Sequence, residues 1–198
     1  MSIRTWRQPT RSTRLWKRKA DIRLALAICL LAAFSACRLN AAATGMRLSL
    51  LYGDCRDFAG LDVGVVSRTS GSFDGVGVGG VNVANGRMRG VQAGFVNWSS
   101  CGGRDERSLG VQYGLANYAE SFFGLQDGYL NCAGDFSGVQ CGSFVFLCVN
   151  VAYGKVEGCQ FGLLNYAQEM TYGVQIGLLN IIARNGLLPV LPLINGSF

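Results

Sequence analysis

One short phrase, Gly-Val/Leu/Cys-Gln-x-Gly-x-x-Asn, limits the fold of this chain more than any other feature. Set at its first glycine, it begins at Gly75, Gly90, Gly110, Gly124, Gly138, Gly158 and Gly173, with a weaker copy at Gly60. The steps are 15, 20, 14, 14, 20 and 15 residues. Glutamine holds the third position at Gln92, Gln112, Gln126, Gln140, Gln160 and Gln175. Asparagine closes the phrase at Asn82, Asn97, Asn117, Asn131, Asn165 and Asn180, and comes late, as Asn150, in the repeat from Gly138. A tandem period of this length means stacked or hairpin-linked copies of one unit.

Each phrase alternates. In the last repeat the even positions read Val174, Ile176, Leu178 and Asn180, and the positions between them read Gln175, Gly177 and Leu179. A period of two with frequent glycine is a strand signal, because two glycines per 14 residues would cost a helix about 1 kcal/mol each. The sequence therefore predicts an all-β chain of tandem 14–20-residue strand-turn repeats. Asn85-Gly86 is a strong hairpin signal. With a two-residue turn there, Asn82 faces Arg89 and Gly80 faces Val91, which favours an antiparallel up-and-down meander or small barrel. The alternative is a parallel β-solenoid in which glutamines and asparagines stack as ladders. In the first nine residues of the seven clear repeats the one charged side chain is Asp127. Uncharged strands with charges kept to the turns suit a transmembrane barrel whose Gly/Gln face points inward; a soluble sandwich or solenoid with a two-sided core fits the same pattern.

The net charge of +6 belongs to the leader. Residues 1–43 hold nine Lys/Arg and one acid, leaving nine Lys/Arg against eleven Asp/Glu in the rest. A nucleic-acid partner is therefore not expected. The leader sets a basic stretch before the apolar run Leu24–Ala36 and ends in small residues, the layout of a secretory signal peptide. The expected division is a signal peptide over 1–43, an N-terminal segment over 44–59, and a β-repeat domain over 60–198 closed by the cap "LLPVLPLINGSF". An earlier cut, before Cys37 in "AAFSAC", resembles a bacterial lipobox and makes Cys37 a candidate lipidation site.

The stretches "GVQYGLANYAESFFGLQDGYLN" and "GCQFGLLNYAQEMTYGVQIGLLNII", with two prolines before the ending "LINGSF", resemble the leptospiral-type tandem surface-repeat proteins of bacteria. The resemblance covers about 75–198. It implies an exported protein at the outer membrane or cell surface, and it carries no catalytic chemistry. Gly77, where glutamine is expected, and the late Asn150 depart from the pattern.

Six cysteines follow the leader: Cys55, Cys101, Cys132, Cys141, Cys148 and Cys159. In a secreted chain an even number permits disulfides, and a turn at Tyr153-Gly154 places Cys148 opposite Cys159 as a candidate bridge. The chain has no histidine, which removes the commonest general base and metal ligand; neither an enzyme nor a cofactor is expected. The expected function is that of a non-catalytic scaffold that presents loops, chiefly 98–109 and 143–149, from a membrane barrel or a lipid anchor. The alternative is a soluble or lipid-anchored solenoid that binds a protein or glycan along its flank.

Overall fold

Glycine decides how each repeat turns. From Gly60 to Gly173 the first glycine of every phrase has φ between +123° and +148°, a region that side-chain-bearing residues avoid. A Cβ built on Gly124 would overlap the carbonyl oxygen of Gly110 in the neighbouring repeat. The glycines therefore mark both a bend and a close approach of backbone to backbone.

The structure is a computed structural model and describes residues 36–39, 43–101, 106–142 and 147–198. The strands are β1 (Ala36–Leu39), β2 (Ala43–Cys55), β3 (Phe58–Thr69), β4 (Phe73–Ala84), β5 (Met88–Ser99), β6 (Ser108–Asp127), β7 (Leu130–Cys141), β8 (Val149–Phe161), β9 (Leu164–Ile182) and β10 (Val190–Ser197). They pair in chain order, β1 to β10, and the order does not close. Every pair from β1 to β9 is parallel. The fold is a parallel β-solenoid of about eight turns.

The meander and the barrel are thereby corrected. Register puts Gly75 on Gly90, Gln92 on Gln112 and Asn97 on Asn117, so each residue lies beside its own copy. Asn82 lies on Asn97 and not on Arg89. Neither Asn85 nor Gly86 has positive φ, so the dipeptide forms a corner of a coil and not a hairpin turn. The amide of Asn85 donates to the Thr69 carbonyl of the coil before it, 2.8 Å away. The repeats also begin earlier than expected, since Gly45 pairs with Gly60 and 44–59 forms a coil of its own.

A second bend lies in the middle of each phrase. In β5 the consecutive residues Phe95 and Val96 both point outward, after which Asn97 points in. This bend brings two side chains of opposite parity, Gln92 and Asn97, into the same interior. The rest of the interior is apolar. A column of large residues, including Phe58, Phe73, Met88, Phe122, Phe136 and Met170, packs beside a column of small ones, including Ala84, Ala119, Ala133 and Ala167. Phe122 stacks on Phe136 with ring centroids 6.2 Å apart. One coil has Ser108 in the large column, and there Cys101 folds in from the loop to lie 3.4 Å from its hydroxyl.

The cap is a strand, not an irregular tail. β10 runs antiparallel to β9, with a register shift between Leu191 and Leu193. Pro192 falls at that shift, where its missing N–H breaks no ladder bond.

Candidate functional site: an amphipathic exterior around amide ladders

The glutamines and asparagines singled out by the sequence all lie inside. Gln92, Gln112, Gln126, Gln160 and Gln175 are buried, as are Asn97, Asn117, Asn131, Asn165 and Asn180; Gln140, Asn82 and Asn150 complete the two rows. Asn82 donates from Nδ2 to Asn97 Oδ1 at 2.9 Å, and the pattern repeats through Asn180 at 2.8–2.9 Å. The glutamines donate the opposite way: Gln112 Nε2 to Gln92 Oε1 at 3.0 Å, and so on to Gln175 at 2.6 Å from Gln160.

The second amide hydrogen goes to backbone carbonyls, such as Asn97 to Tyr113 at 2.9 Å and Gln112 to Tyr118 at 3.2 Å. A buried amide is tolerable only when its hydrogens are placed in this way. The open acceptors are Asn82 Oδ1 and Gln175 Oε1, one at each end of the stack. These residues hold the fold and are sealed from any ligand.

Toward the N-terminus the glutamine column changes character. Gly77, Asp62 and Arg47 occupy it in turn. Arg47 donates from Nε to Asp62 Oδ1 at 3.0 Å and from Nη2 to Asp62 Oδ2. Its guanidinium also touches the Cys55 sulfur and lies 4.8 Å from the Phe58 ring centroid. Burial works to lower the Arg47 pKa, but the hydrogen bond and charge of Asp62, with Cys55, outweigh it and the net shift is upward. Burial raises the Cys55 thiol against the opposing pull of Arg47.

The other cysteines serve packing. Burial pushes Cys148 up to about 12, helped by nearby Cys141; burial likewise raises Cys132 and Cys141. Protonated thiols are poor nucleophiles. The Cys148–Cys159 bridge loses its premise, because Tyr153 and Gly154 lie within β8 and form no hairpin. Cys148 is buried, with its sulfur 3.2 Å from Asn150 Oδ1, while Cys159 stands half-buried in the outward column between Val139 and Val174; both are free thiols. Among the described residues no three His, Cys, Asp or Glu side chains converge as metal ligands. Cys37 pairs through its backbone with Gly53, and residues 1–35 of the expected signal peptide lie outside the described residues.

The exterior divides sharply. Within the nine residues of each phrase, the outward columns of β4 to β9 on both sides of the mid-phrase bend carry mainly Val, Leu, Ile, Ala, Cys and aromatics, with Asp127 as their one charge. Trp98 stacks on Tyr118 at 4.0 Å between centroids. At the bend Phe95, Leu115 and Tyr129 stand exposed. Beside them runs a groove of about 450 Å³, floored by Gly79, Gly94, Gly114 and Gly128. A Cβ at Gly94 or Gly114 would meet the glycine carbonyl of the preceding coil first and the Asn side chain there at 2.7 Å, so close backbone approach, with the ladder, keeps this floor bare.

Charge gathers instead along the turns. A polar basin of about 490 Å³ there is lined by Arg56, Asp57, Ser70, Ser72, Arg87 and Glu106, with Gly71, Asn85 and Gly86. Asp57 accepts from the Ser72 amide at 2.8 Å and from its hydroxyl at 3.0 Å, and these bonds hold its carboxyl below the usual carboxylate range. Arg87 Nε is buried without a hydrogen-bond partner.

Of the connection after β5, the described Glu106 reaches this basin, while Gly142 and Cys148 flank the break between β7 and β8. The sequence found the ladder residues; it missed the basin, whose parts come from three separate turns and from Glu106. No family model, curated protein or solved structure matches the chain, so function must be argued from this geometry.

Proposed function

We propose that the protein is a non-catalytic, exported β-solenoid of the bacterial surface, a rigid scaffold that binds a protein or glycan along its charged flank. The observation that carries this reading is the segregation of charge. Mixed charges, serine hydroxyls and the unpartnered Arg87 Nε line one edge, while the interior amides bond to each other along the stack. Polar groups on a rigid frame recognise ligands with little ordering cost. Glu106, from the connection that follows β5, adds to the same edge, and connections on a rigid scaffold commonly carry binding.

The test is photo-crosslinking on intact cells, with a photoreactive residue at position 87 on the charged edge or 176 on the uncharged face. The reading expects protein or glycan adducts from position 87, lost on Arg56→Ala. Adducts of that kind from position 176 alone would overturn it.

A further inference from the structure

The uncharged faces are unusual for a water-soluble chain. Typical monomers keep exposed apolar patches to a few hundred Å². Here large apolar side chains stand out from one end of the stack to the other: Met46 is 78% exposed, Phe95 67%, Leu178 63% and Ile194 58%. They occupy two faces and the ridge between them, where the chain bends. Few charges lie on these faces: Asp127 in the groove, Asp54 and Arg68 side by side in β2 and β3, and Arg89 and Glu157 at the margin that leads to the turns.

A single rigid partner cannot cover two faces that meet at a ridge without wrapping around it. A fluid apolar medium covers both at once. The backbone permits this, because parallel pairing satisfies its polar groups along the stack and the amide ladders satisfy the interior, as a bilayer boundary demands. The whole body thus has the logic of an amphipathic helix, apolar on one side and charged on the other.

We propose that the folded solenoid docks on a lipid bilayer, with the ridge of Phe95, Leu115 and Leu178 sunk into the acyl boundary and the charged edge left in water. This concerns a different surface from the polar basin and is independent of what the basin binds. Trp98, 41% exposed and stacked on Tyr118, then lies at the level where indole rings favour the interface. The charged edge bears both signs, so the contact is apolar in origin: binding extends to zwitterionic vesicles and responds little to salt.

The experiment uses the full chain with Trp6→Phe and Trp16→Phe, which leaves Trp98 as the one tryptophan of the three. Phosphatidylcholine vesicles are added, with or without bromine atoms on the upper acyl chain. The proposal expects a blue-shifted Trp98 emission that brominated lipid quenches. Phe95→Glu with Leu178→Glu then weakens vesicle co-sedimentation about tenfold or more, whereas Arg89→Gln and Glu120→Gln leave it unchanged. Co-sedimentation without quenching of Trp98 would place the membrane contact in the leader and overturn the proposal. Trp98 shielded in lipid-free solution together with a dimer in sedimentation velocity would show that a second copy covers the faces, and would also overturn it. Neither result touches the charged flank, whose own test is the crosslink from position 87.

Discussion

The two ends of the glutamine column solve one problem in different ways. From Gln92 to Gln175 each rung repeats the last, and each amide between these two ends donates to one neighbour and accepts from the other. A neutral amide can stack on its own copy without limit, because it is donor and acceptor at once. At the N-terminal end Arg47 and Asp62 occupy the same column as a buried ion pair. A charge cannot repeat at the 4.8 Å spacing of strands, since like charges at that distance repel strongly in a poorly solvated interior. Only an opposite charge or a neutral group can follow it in the column. Gly77 lies between the two regimes, and the ring of Phe73 reaches across it to fill the space. The lesson is that the amide ladder can repeat from coil to coil, while the ion pair joins two coils only.

The largest expected effect contrasts two glycines of one column. Gly124 carries φ +142° and abuts the Gly110 carbonyl, while Gly45 carries φ +108° with no atom within 4 Å of a Cβ. Gly124→Ala should cost about 5 kcal/mol or prevent folding, against about 1 kcal/mol for Gly45→Ala. Urea unfolding of both variants checks this; equal costs would show that the coils do not approach as closely as described.

Next in size is the ion pair. Asp62→Ala leaves the Arg47 charge buried and unpaired, at about 4 kcal/mol. The joint change Arg47→Met with Asp62→Leu should return stability to within about 1 kcal/mol of the parent, since a well-packed apolar pair replaces a desolvated one. A ladder substitution should cost somewhat less: Gln126→Leu strands the Gln112 acceptor and the Gln140 donor, for about 3 kcal/mol. A double change that stayed as unstable as Asp62→Ala would break the comparison between pair and ladder.

The smallest effect is a pH dependence. Cys148 has a folded pKa raised from 9.0 to about 12, so the folded state holds its proton longer than the unfolded one. Its contribution is complete below pH 9 and is lost as pH rises toward 12. The urea midpoint should fall between pH 8 and pH 11, and Cys148→Ala should flatten that fall; an unchanged slope would place the titration elsewhere.

Much of this was legible in the sequence. The repeat period, the inward glutamines and the outward Val/Leu/Ile columns all follow from the phrase itself. The direction of stacking did not, because Asn85-Gly86 favours a hairpin locally, yet seven asparagines gain their ladder only when coils stack in parallel. A parity clue was present. Asn97 stands at the same parity as the exposed Phe95 but turns inward, so the phrase contains a bend that alternation alone does not reveal. The ion pair was hidden for another reason: Arg47 lies in a coil with no phrase to mark it, and Asp62 in a degraded copy. The charged basin was hidden because turns distant in sequence assemble it.

The central claim is parallel, in-register stacking. The native Cys132 lies beside Tyr118 in that register, at a strand spacing within the reach of a disulfide. Mild oxidation of a Tyr118→Cys variant, followed by peptide mapping, tests it most directly. The account predicts a bond between positions 118 and 132 and none between Cys148 and Cys159. A bond between Cys148 and Cys159, with positions 118 and 132 unlinked, would contradict it and restore the antiparallel hairpin.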